Sequence, residues 1–375
     1  MARSLALVEC FQEIEDPRIE RTKRHLLVDI LCLSVFAVIA GAEGWEDIEE
    51  FGKQKIDWCK KYLSLPNGIP SHDTISRVFR ALRPGAFQEA FLEWMTAVHE
   101  RLGFKMVSID GKTLRRSHDA KSMRSALHAV CAWSVENHLC LGQVATDQKS
   151  NEITAIPELL ALLDLKQAII SIDAMGCQKE IAKQIIDGGN HFVLAVKDNQ
   201  PSLNAAIREA FTLYHGGDLP EVVCRQHTTT DTAHGRQETR YYSCMELPES
   251  MTPFQKEWAG LRSIGQAITV TVENGVETFE LRNYIISLEP KVKQFAASVR
   301  GHWGIENSLH WVLDMTFNED QSRIRKDHGA ENFALLRRFA ISLIKQDKSK
   351  ASVRRKRKRA AWSTDALEKI IGITG

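Results

Sequence analysis

The sequence lacks the features that mark several classes of protein. None of its eight cysteines stands in a Cys-x-x-Cys pair, which argues against a zinc ribbon and against a thioredoxin-type site. The longest apolar run, residues 30–42, is too short to span a bilayer, so we predict a buried helix there. Charges are scattered through residues 1–29, where a secretory signal would need an uninterrupted apolar stretch. These absences predict a cytoplasmic protein with no membrane partner.

The chain also lacks net charge. It carries 49 Lys and Arg against 48 Asp and Glu, a formal charge of +1, although residues 345–359 hold nine basic side chains and one acid. A polyanion would therefore be bound by local patches and not by the whole surface. We predict that residues 347–375 form a basic tail that binds phosphates without sequence preference. The alternative is a disordered end that only keeps the protein in solution.

Length and periodicity predict an α/β protein of several parts. The 375 residues are 43% hydrophobic and 26% charged, which is ordinary for a globular chain with a sizeable core. Residues 1–102 have helical periodicity and predict an all-helical N-terminal domain. From 103 to 346, short apolar strands alternate with helices, which predicts a mixed sheet with helices on its faces. A β-rich insertion at about 215–290 interrupts this part.

Local patterns predict particular elements within these parts. Residues 45–65 and residues 291–314 each predict one long helix. Asn274-Gly275, between two β-like segments, predicts the turn of a hairpin.

Two carboxylates follow apolar strands in the same local sequence. The triplets Ser108-Ile109-Asp110 and Ser171-Ile172-Asp173 place Asp where a strand ends and a loop begins. In an open α/β sheet that position faces a cleft. Each Asp could equally start a turn or cap the next helix. If the strands are neighbours, the carboxylates form a close pair that needs a cation, and oxygen ligands of this type select Mg²⁺ or Mn²⁺.

A third acid comes from the predicted helix 291–314. One stripe of this helix, at i, i+4 and i+8, consists of His302, Glu306 and His310. Trp303 and Trp311 lie beside this stripe, and we expect both to pack in the core. One alternative is a half-buried aromatic helix whose Glu pairs with Arg300 or a histidine. Another is a zinc site, which the absence of zinc-protease spacing and of a nearby cysteine disfavours.

Three carboxylates around two hard cations have a specific chemical use. They can activate a water or a sugar hydroxyl and stabilise the leaving oxygen during in-line attack on a phosphodiester. Basic side chains next to the acids suit such a polyanionic substrate: Lys112, Arg115 and Arg116 follow the first Asp, and Lys197 follows the last strand of the core. The alternative for the loop after the first Asp is an ordinary solvated segment.

These residues belong to longer motifs, which are 108–117 (SIDGKTLRRS), 172–178 (IDAMGCQ), 194–200 (LAVKDNQ), 302–311 (HWGIENSLHW), 323–325 (RIR) and 329–332 (GAEN). Over nearly its whole length the chain resembles the DDE transposases of bacterial insertion sequences, specifically the group of H-repeat-associated proteins. The resemblance implies an RNase H-like core in which Asp110, Asp173 and Glu306 form the DDE triad. It implies that this triad holds two Mg²⁺ ions, which Mn²⁺ can replace.

The resemblance also implies an activity and partners. The activity is cleavage of double-stranded DNA at transposon ends, followed by strand transfer into target DNA. Separately, we expect the protein to be associated with the nucleoid and to form a homodimer on DNA. Two alternatives stay open: a nuclease of the same fold that cuts without joining, and an inactive DNA-binding descendant.

The chain departs from the wider family around the third acid. Many related transposases have Tyr, Arg and Lys near this Glu, and the corresponding residues here are Val299, His302 and Leu313. We therefore expect Arg300, His302 and His310 to contact phosphates in their place.

The N-terminal helices are the candidate for binding DNA ends. Ser71 has the pattern of an N-cap, and Arg77 and Arg80 lie on the polar side of the helix that would follow it. An ordinary solvated helix face is an equally good interpretation of these arginines.

Overall fold

The structure, a computed structural model, describes residues 6–102, 105–118, 125–146, 152–163, 165–233 and 235–372. Residue 103, where we place the first domain boundary, lies outside these ranges. The helices are α1 (Ala6–Gln12), α2 (Leu27–Ala40), α3 (Trp45–Gln54), α4 (Ile56–Cys59), α5 (His72–Ala81), α6 (Pro84–Leu102), α7 (Glu152–Leu162), α8 (Lys179–Asp187), α9 (Pro201–Gly216), α10 (Thr252–Glu257), α11 (Val292–Ile305), α12 (Trp311–Phe317), α13 (Gly329–Gln346), α14 (Val353–Trp362) and α15 (Thr364–Ile370).

One mixed sheet of nine strands runs through the described chain. The strands are β1 (Met106–Thr113), β2 (His128–Ser134), β3 (Leu139–Thr146), β4 (Ile169–Ile172), β5 (His191–Val196), β6 (Cys224–Ala233), β7 (Arg236–Glu246), β8 (Ser263–Glu273) and β9 (Val276–Ile286). Their order is β3-β2-β1-β4-β5-β9-β8-β7-β6. Strands β1, β4 and β5 run parallel, and every other pairing is antiparallel. The predicted RNase H-like mixed sheet, flanked by helices, is confirmed.

The register of β1 and β4 brings the two Ser-Ile-Asp triplets side by side. Ser108 pairs with Ser171 and Ile109 with Ile172, so Asp110 and the residue that follows β4 stand at the same level. The isoleucines are buried, because both faces of these parallel strands are covered. The prediction that the two strands are neighbours is therefore confirmed.

The β-rich insertion extends this sheet. Strand β9 pairs with β5, and the hairpins β8–β9 and β6–β7 continue outward from it. Asn274 and Gly275 have φ values of 52° and 78°, the left-handed conformation of a tight hairpin turn, and they join β8 to β9 as predicted.

The larger of two hydrophobic clusters connects the two ends of the described chain. It extends from Leu7 in α1 to Ile371, just after α15. Helix α13 packs against α2, α5 and β3. Its Phe339 ring lies 5.6 Å from the ring of Phe11 and 5.0 Å from that of Phe91. The N-terminal helices therefore share their core with the end of the predicted catalytic part.

The apolar run at 30–42 forms most of α2 and is buried, as predicted. Among the described residues, no single helix is both long and apolar enough to cross a bilayer. Helices α2 and α3 reach that length and hydropathy only as a pair bent by 92°.

The prediction of one helix over residues 45–65 is wrong. The chain breaks at Lys55, between α3 and α4. The physical reason is packing: the break redirects Trp58, whose ring lies 5.4 Å from that of Phe36 in an edge-on contact. The Ser71 cap, in contrast, is confirmed, since its Oγ accepts a hydrogen bond from the Thr74 N–H at the start of α5.

The C-terminal residues fold against the core. Helices α14 and α15 contain most of the predicted tail, so the alternative of a disordered end is wrong for the described residues. Lys356 and Arg357 are buried. The Arg357 guanidinium donates a hydrogen bond of 2.9 Å to the Val38 carbonyl and stacks 4.0 Å from the Phe317 ring centre. These two cations serve the fold, because their neighbours are backbone carbonyls, the Asp347 carboxylate and an aromatic ring.

Candidate active site

Asp110 lies on β1, and its carboxylate is largely buried. The pKa of Asp110 is raised from 3.8 to about 6, chiefly by burial; the charge of His310 opposes the rise, and the charges of Asp173 and Glu306 add to it. The Nδ1 atom of His310 lies 3.4 Å from Asp110 Oδ2. The site thus brings negative charges together in a buried position, where they repel each other. A bound cation would reduce this repulsion.

Asp173 follows β4 and caps a short 3-10 turn. Its Oδ1 accepts hydrogen bonds from the backbone N–H groups of Met175 at 3.0 Å and Gly176 at 3.4 Å. The capping alternative therefore holds for this Asp, and both bonds use the same oxygen. Burial raises the pKa of Asp173, and the nearby carboxylate of Glu152 raises it further. Asp173 therefore caps the 3-10 turn and also contributes a carboxylate to the acidic site.

Glu306 begins a π-helical segment, Glu306–His310, that joins α11 to α12. The predicted helix 291–314 is therefore continuous but not uniform, because one wider turn is inserted in it. The wider turn breaks the regular i, i+4 spacing, so His302, Glu306 and His310 do not form the uniform stripe that the sequence predicted. Glu306 is exposed and His310 is half-buried against Asp110. Such π-turns inside helices are frequent at functional sites.

The three carboxylates fit a divalent cation in chemistry and charge. In the described ranges no three His, Cys, Asp or Glu side chains are close enough together to hold a metal ion. Asp173 and Glu306 nevertheless both act electrostatically on Asp110. Carboxylate oxygens are the ligands that Mg²⁺ and Mn²⁺ prefer. The exposed side chain of Glu306 can change rotamer without disturbing the core.

The structure contradicts a charged, phosphate-binding role for His302. Its Nδ1 lies 3.3 Å from the Ser171 Oγ, and that hydroxyl is 3.0 Å from the Ser108 Oγ. Burial lowers the pKa of His302 to about 4, so its imidazole is neutral near pH 7. His302 links α11 to strands β1 and β4. His310 contacts the Asp110 carboxylate.

The structure also contradicts Lys112 as a DNA contact. Its side chain is buried, and its Nζ lies 2.7 Å from Asp314, 3.3 Å from Glu319 and 3.2 Å from Asp320. Burial disfavours its charge, but the three carboxylates outweigh this effect and raise the pKa of Lys112. Lys112 therefore attaches β1, two residues after Asp110, to α12 and to the segment that follows it.

This ion-pair network was missed by the sequence reasoning. Glu319 is fully buried and pairs with Arg338 of α13 at 2.8 Å, and the Arg338 Nε lies 3.2 Å from the Cys131 Sγ. Cys131 stands opposite Asp110 in the β1–β2 register. The available signal was an arginine pair inside an otherwise apolar helix, because a buried cation needs an anion.

The expectation that Trp311 packs in the core is wrong. Its side chain is 59% exposed, and Met315, one turn further along α12, is also 59% exposed. The π-segment rotates α12 relative to α11, which turns Trp311 outward. Trp303 is half-buried, and the Arg282 guanidinium stacks 4.2 Å from its ring centre.

The other predicted basic residues lie on the protein surface. Arg115, Arg116, Lys197, Arg300 and Arg77 are exposed. Some are already paired: Arg115 lies 3.3 Å from Asp320 and Arg300 lies 3.4 Å from Asp231.

A groove of about 830 Å³ separates α3 and α5 from the segment that follows α12. Its basic lining residues are Arg80, Arg323, Arg325 and Lys326. The Arg325 Nε donates a 2.9 Å hydrogen bond to the Arg116 carbonyl, which joins the groove to the loop after β1. Arg80 pairs with Asp327 at 2.7 Å on the groove's edge. The groove therefore brings Arg80 of α5 next to a basic segment that is hydrogen-bonded to the loop after β1.

Comparison with known families agrees with this architecture. Residues 8–95 match the family described as DDE_Tnp_1-associated, and residues 102–343 match the transposase DDE domain. The chain belongs to the DDE transposases. Asp110, Asp173 and Glu306 all lie within the range that matches the DDE domain.

A full-length relative comes from the H-repeat group, which confirms the resemblance seen in the sequence. The chain is 41% identical over 374 residues to the "H repeat-associated putative transposase YhhI" of Escherichia coli strain K12, covering 98% of each chain. It is also 41% identical over 374 residues to the "Putative protein YbfL" of the same strain, again covering 98% of each. A short relative, "Inactive transposase YbfQ" of that strain, is 61% identical over 54 residues, which are 14% of this chain and 64% of YbfQ.

Proposed function

We propose that this DDE transposase cleaves double-stranded DNA at transposon ends and transfers the freed strand into target DNA. The observation that carries the proposal is the set of three carboxylates at one end of the parallel strands, where Asp173 and Glu306 raise the pKa of the buried Asp110. The family supports the same chemistry. In this proposal Asp110, Asp173 and Glu306 hold the cation, with Mg²⁺ as the ion and Mn²⁺ as its substitute.

Each side chain has a defined part in this proposal. A bound divalent cation would activate the attacking oxygen and stabilise the leaving oxygen at the phosphodiester. Asp110 presents its carboxylate from a rigid central strand, and His310 orients that carboxylate from 3.4 Å. Asp173 keeps one oxygen in the cap, which fixes the direction of the other. Glu306 is the third carboxylate of the site, and its side chain is exposed.

We propose that DNA binds across the basic residues near the end of the parallel strands that carries the three carboxylates. Arg115, Arg116 and Lys197 would contact phosphates near the reacting bond. Arg77, and Arg80 in the groove, would contact the duplex further from it, and Arg300 would contact it from α11. Assembly as a homodimer on DNA, location at the nucleoid and a cytoplasmic setting stay predictions.

The decisive experiment follows the DNA products. Purified protein is incubated with Mg²⁺ and labelled duplex that carries the boundary of its own element, together with an unlabelled target duplex. The proposal expects cuts at the boundary and labelled strands joined to the target. Products should be absent with EDTA and with Asp173→Asn.

The same experiment separates the two alternatives. Cuts without joined products would favour a nuclease of the same fold. Specific binding of the boundary DNA without any cut, in either Mg²⁺ or Mn²⁺, would favour an inactive descendant. The name of YbfQ is the reason for keeping the inactive alternative, although its match covers only 14% of this chain.

A further inference from the structure

One face of helix α14 combines three cations with an exposed indole ring. Arg354, Lys358 and Trp362 stand at i, i+4 and i+8, so their side chains follow one stripe of the helix. Arg355 lies beside this stripe, three residues before Lys358. Together with Ser352, these four side chains line a depression of about 580 Å³. At a rise of about 1.5 Å per residue, the stripe offers a ligand a contact surface about 12 Å long.

The three cations of this face are not used by the fold. Arg354, Arg355 and Lys358 are exposed. Among the residues that the structure describes, no carboxylate pairs with any of these three, and α14 itself contains no acidic residue. Lys356 and Arg357 of the same helix point inward instead and donate hydrogen bonds to backbone carbonyls. The outward cations are therefore available to an anionic ligand.

The indole ring of Trp362 is available as well. At 76% exposure, Trp362 is the most exposed large apolar side chain in the described part of the chain. Within that part, neither an aromatic ring nor a cation stacks on its faces. Burial of such a ring is a large hydrophobic gain that the folded chain leaves unused. The ring can therefore stack on a flat ligand.

Cations beside a free aromatic face match the chemistry of an unpaired DNA strand. Proteins that hold single strands use basic side chains along the phosphate backbone and aromatic rings on which the bases stack. Duplex DNA offers the same phosphates, but its bases are paired and stacked on one another, out of reach of a side chain on the surface. The indole ring therefore distinguishes a single strand from a duplex, and the cations do not.

We propose that the outward face of α14 binds single-stranded DNA, with Trp362 stacked on a base and with Arg354, Arg355 and Lys358 on the flanking phosphates. This surface goes beyond the proposed cleavage of duplex DNA, and it needs neither the triad nor a divalent cation. The sequence predicted phosphate binding by the C-terminal residues. It gave Trp362 no part in this binding and gave no preference for unpaired DNA.

The test compares the binding of single-stranded and duplex DNA in EDTA, so that no cation-dependent cleavage takes place. Labelled oligodeoxythymidine and a labelled duplex of the same length are titrated with the whole protein and followed by fluorescence anisotropy. We expect Trp362→Ala to raise the dissociation constant of the oligodeoxythymidine about 5-fold or more, as for the loss of one base–aromatic stack. The dissociation constant of the duplex should change by less than about 2-fold, because the cations are unchanged.

Other substitutions of the same residue separate stacking from apolar contact. Trp362→Phe keeps an aromatic ring and should retain most of the affinity for the oligodeoxythymidine. Trp362→Leu keeps apolar area without a ring and should bind as weakly as Trp362→Ala. Phe279→Ala is the matched control, since its ring is 65% exposed on β9, and it should bind as the unaltered protein does. Thermal unfolding verifies that each variant is folded.

Several results would overturn this inference. One is binding of the oligodeoxythymidine by Trp362→Ala at the affinity of the unaltered protein, and another is an equal loss of affinity for the duplex. If Trp362→Ala leaves DNA binding unchanged but converts a dimer to a monomer in sedimentation, the ring belongs to an interface between two copies of the chain. If it lowers only the binding to vesicles of anionic lipid, the face binds a membrane surface.

These results are independent of the proposed function. Because the binding is measured in EDTA, a protein that does not cleave DNA can still show the expected loss for Trp362→Ala. Unchanged binding by this variant would in turn leave the proposed cleavage at transposon ends as it stands.

Discussion

At the scale of single residues, the ionised carboxylate of Asp110 is unfavourable for the folded protein. Asp110 has a pKa of about 6 in the folded chain, against 3.8 for an ordinary aspartate. The folded state therefore binds its proton more tightly than the unfolded state does, and ionisation above pH 6 opposes folding. Such a cost is expected of the proposed cation site, because a bound cation would offset it.

Replacing this charge should stabilise the protein in the absence of divalent cations. At pH 8 in EDTA, we expect Asp110→Asn to raise the free energy of unfolding by up to about 3 kcal/mol, the equivalent of the shift from 3.8 to about 6. The gain should shrink as the pH falls through 6 and vanish below 4, where the carboxyl is protonated in both states. Urea unfolding measures it, with the exposed Asp198→Asn as control. An Asp110→Asn protein less stable than the original at pH 8 would contradict this account.

His302 and Trp311 should show the opposite of what the sequence predicts. We expect His302→Ala to lower the free energy of unfolding by about 1–3 kcal/mol, since it removes the contact with Ser171 inside the sheet. Trp311→Ala should change it by less than about 0.5 kcal/mol, because the ring is 59% exposed. Urea unfolding at pH 7.5 compares the two. A large loss for Trp311→Ala alone would show that the ring packs against something the structure does not contain.

At the scale of elements, the C-terminal helix α14 has two faces with different tasks. Lys356 and Arg357 point inward, to backbone carbonyls and the Phe317 ring. Arg354, Arg355 and Lys358 point outward, next to the 76% exposed Trp362. Deleting the tail would therefore disturb the core as well as any DNA contact, and only substitutions on one face separate these effects.

Substituting the outward face should change DNA affinity and not stability. We expect the triple variant R354A/R355A/K358A to bind nonspecific duplex more weakly, with a salt dependence of binding that falls by up to about 0.9 for each phosphate contact removed. Arg357→Ala should instead lower the unfolding temperature. Fluorescence anisotropy between about 50 and 200 mM salt measures the slope. An unchanged slope for the triple variant would show that this face only keeps the protein in solution.

Elements with local causes could be predicted from the sequence. The apolar strands, the Ser71 cap and the Asn274-Gly275 hairpin depend on neighbouring residues, and the structure contains them. The ion pairs of Lys112 could not be predicted, because its partner Asp320 comes 208 residues later. The π-segment at Glu306 was missed as well, since helical periodicity assumes a uniform turn. The position of Asp110 and Asp173 in one register was predictable, but the direction in which His302 and Trp311 point was not.

At the scale of the whole molecule, the N-terminal helices and the catalytic part share one core. Phe339 of α13 is fully buried and contacts the rings of Phe11, Phe91 and Trp94. The helices that would bind DNA are thereby held rigidly against the part that carries the proposed triad. Because the two parts share this core, we predict that they unfold together in one transition.

Truncating the shared aromatic residue tests this coupling. We expect Phe339→Ala to lower the free energy of unfolding by about 3–5 kcal/mol in one cooperative transition, followed by circular dichroism. Phe279→Ala is the matched control, because Phe279 is 65% exposed on β9 and should cost less than about 0.5 kcal/mol. Two separate transitions in Phe339→Ala, one unchanged from the original protein, would show that the parts fold independently.

The most direct test of the central claim uses Glu306. Because its side chain is exposed, Glu306→Ala should keep the unfolding temperature of the original protein. The account predicts that its single-turnover rate of Mg²⁺-dependent cleavage at the element boundary falls at least about 100-fold. The equally exposed Glu277→Ala, at the tip of β9, should cleave at the original rate. Cleavage by Glu306→Ala at the rate of the original protein would contradict the assignment of the triad.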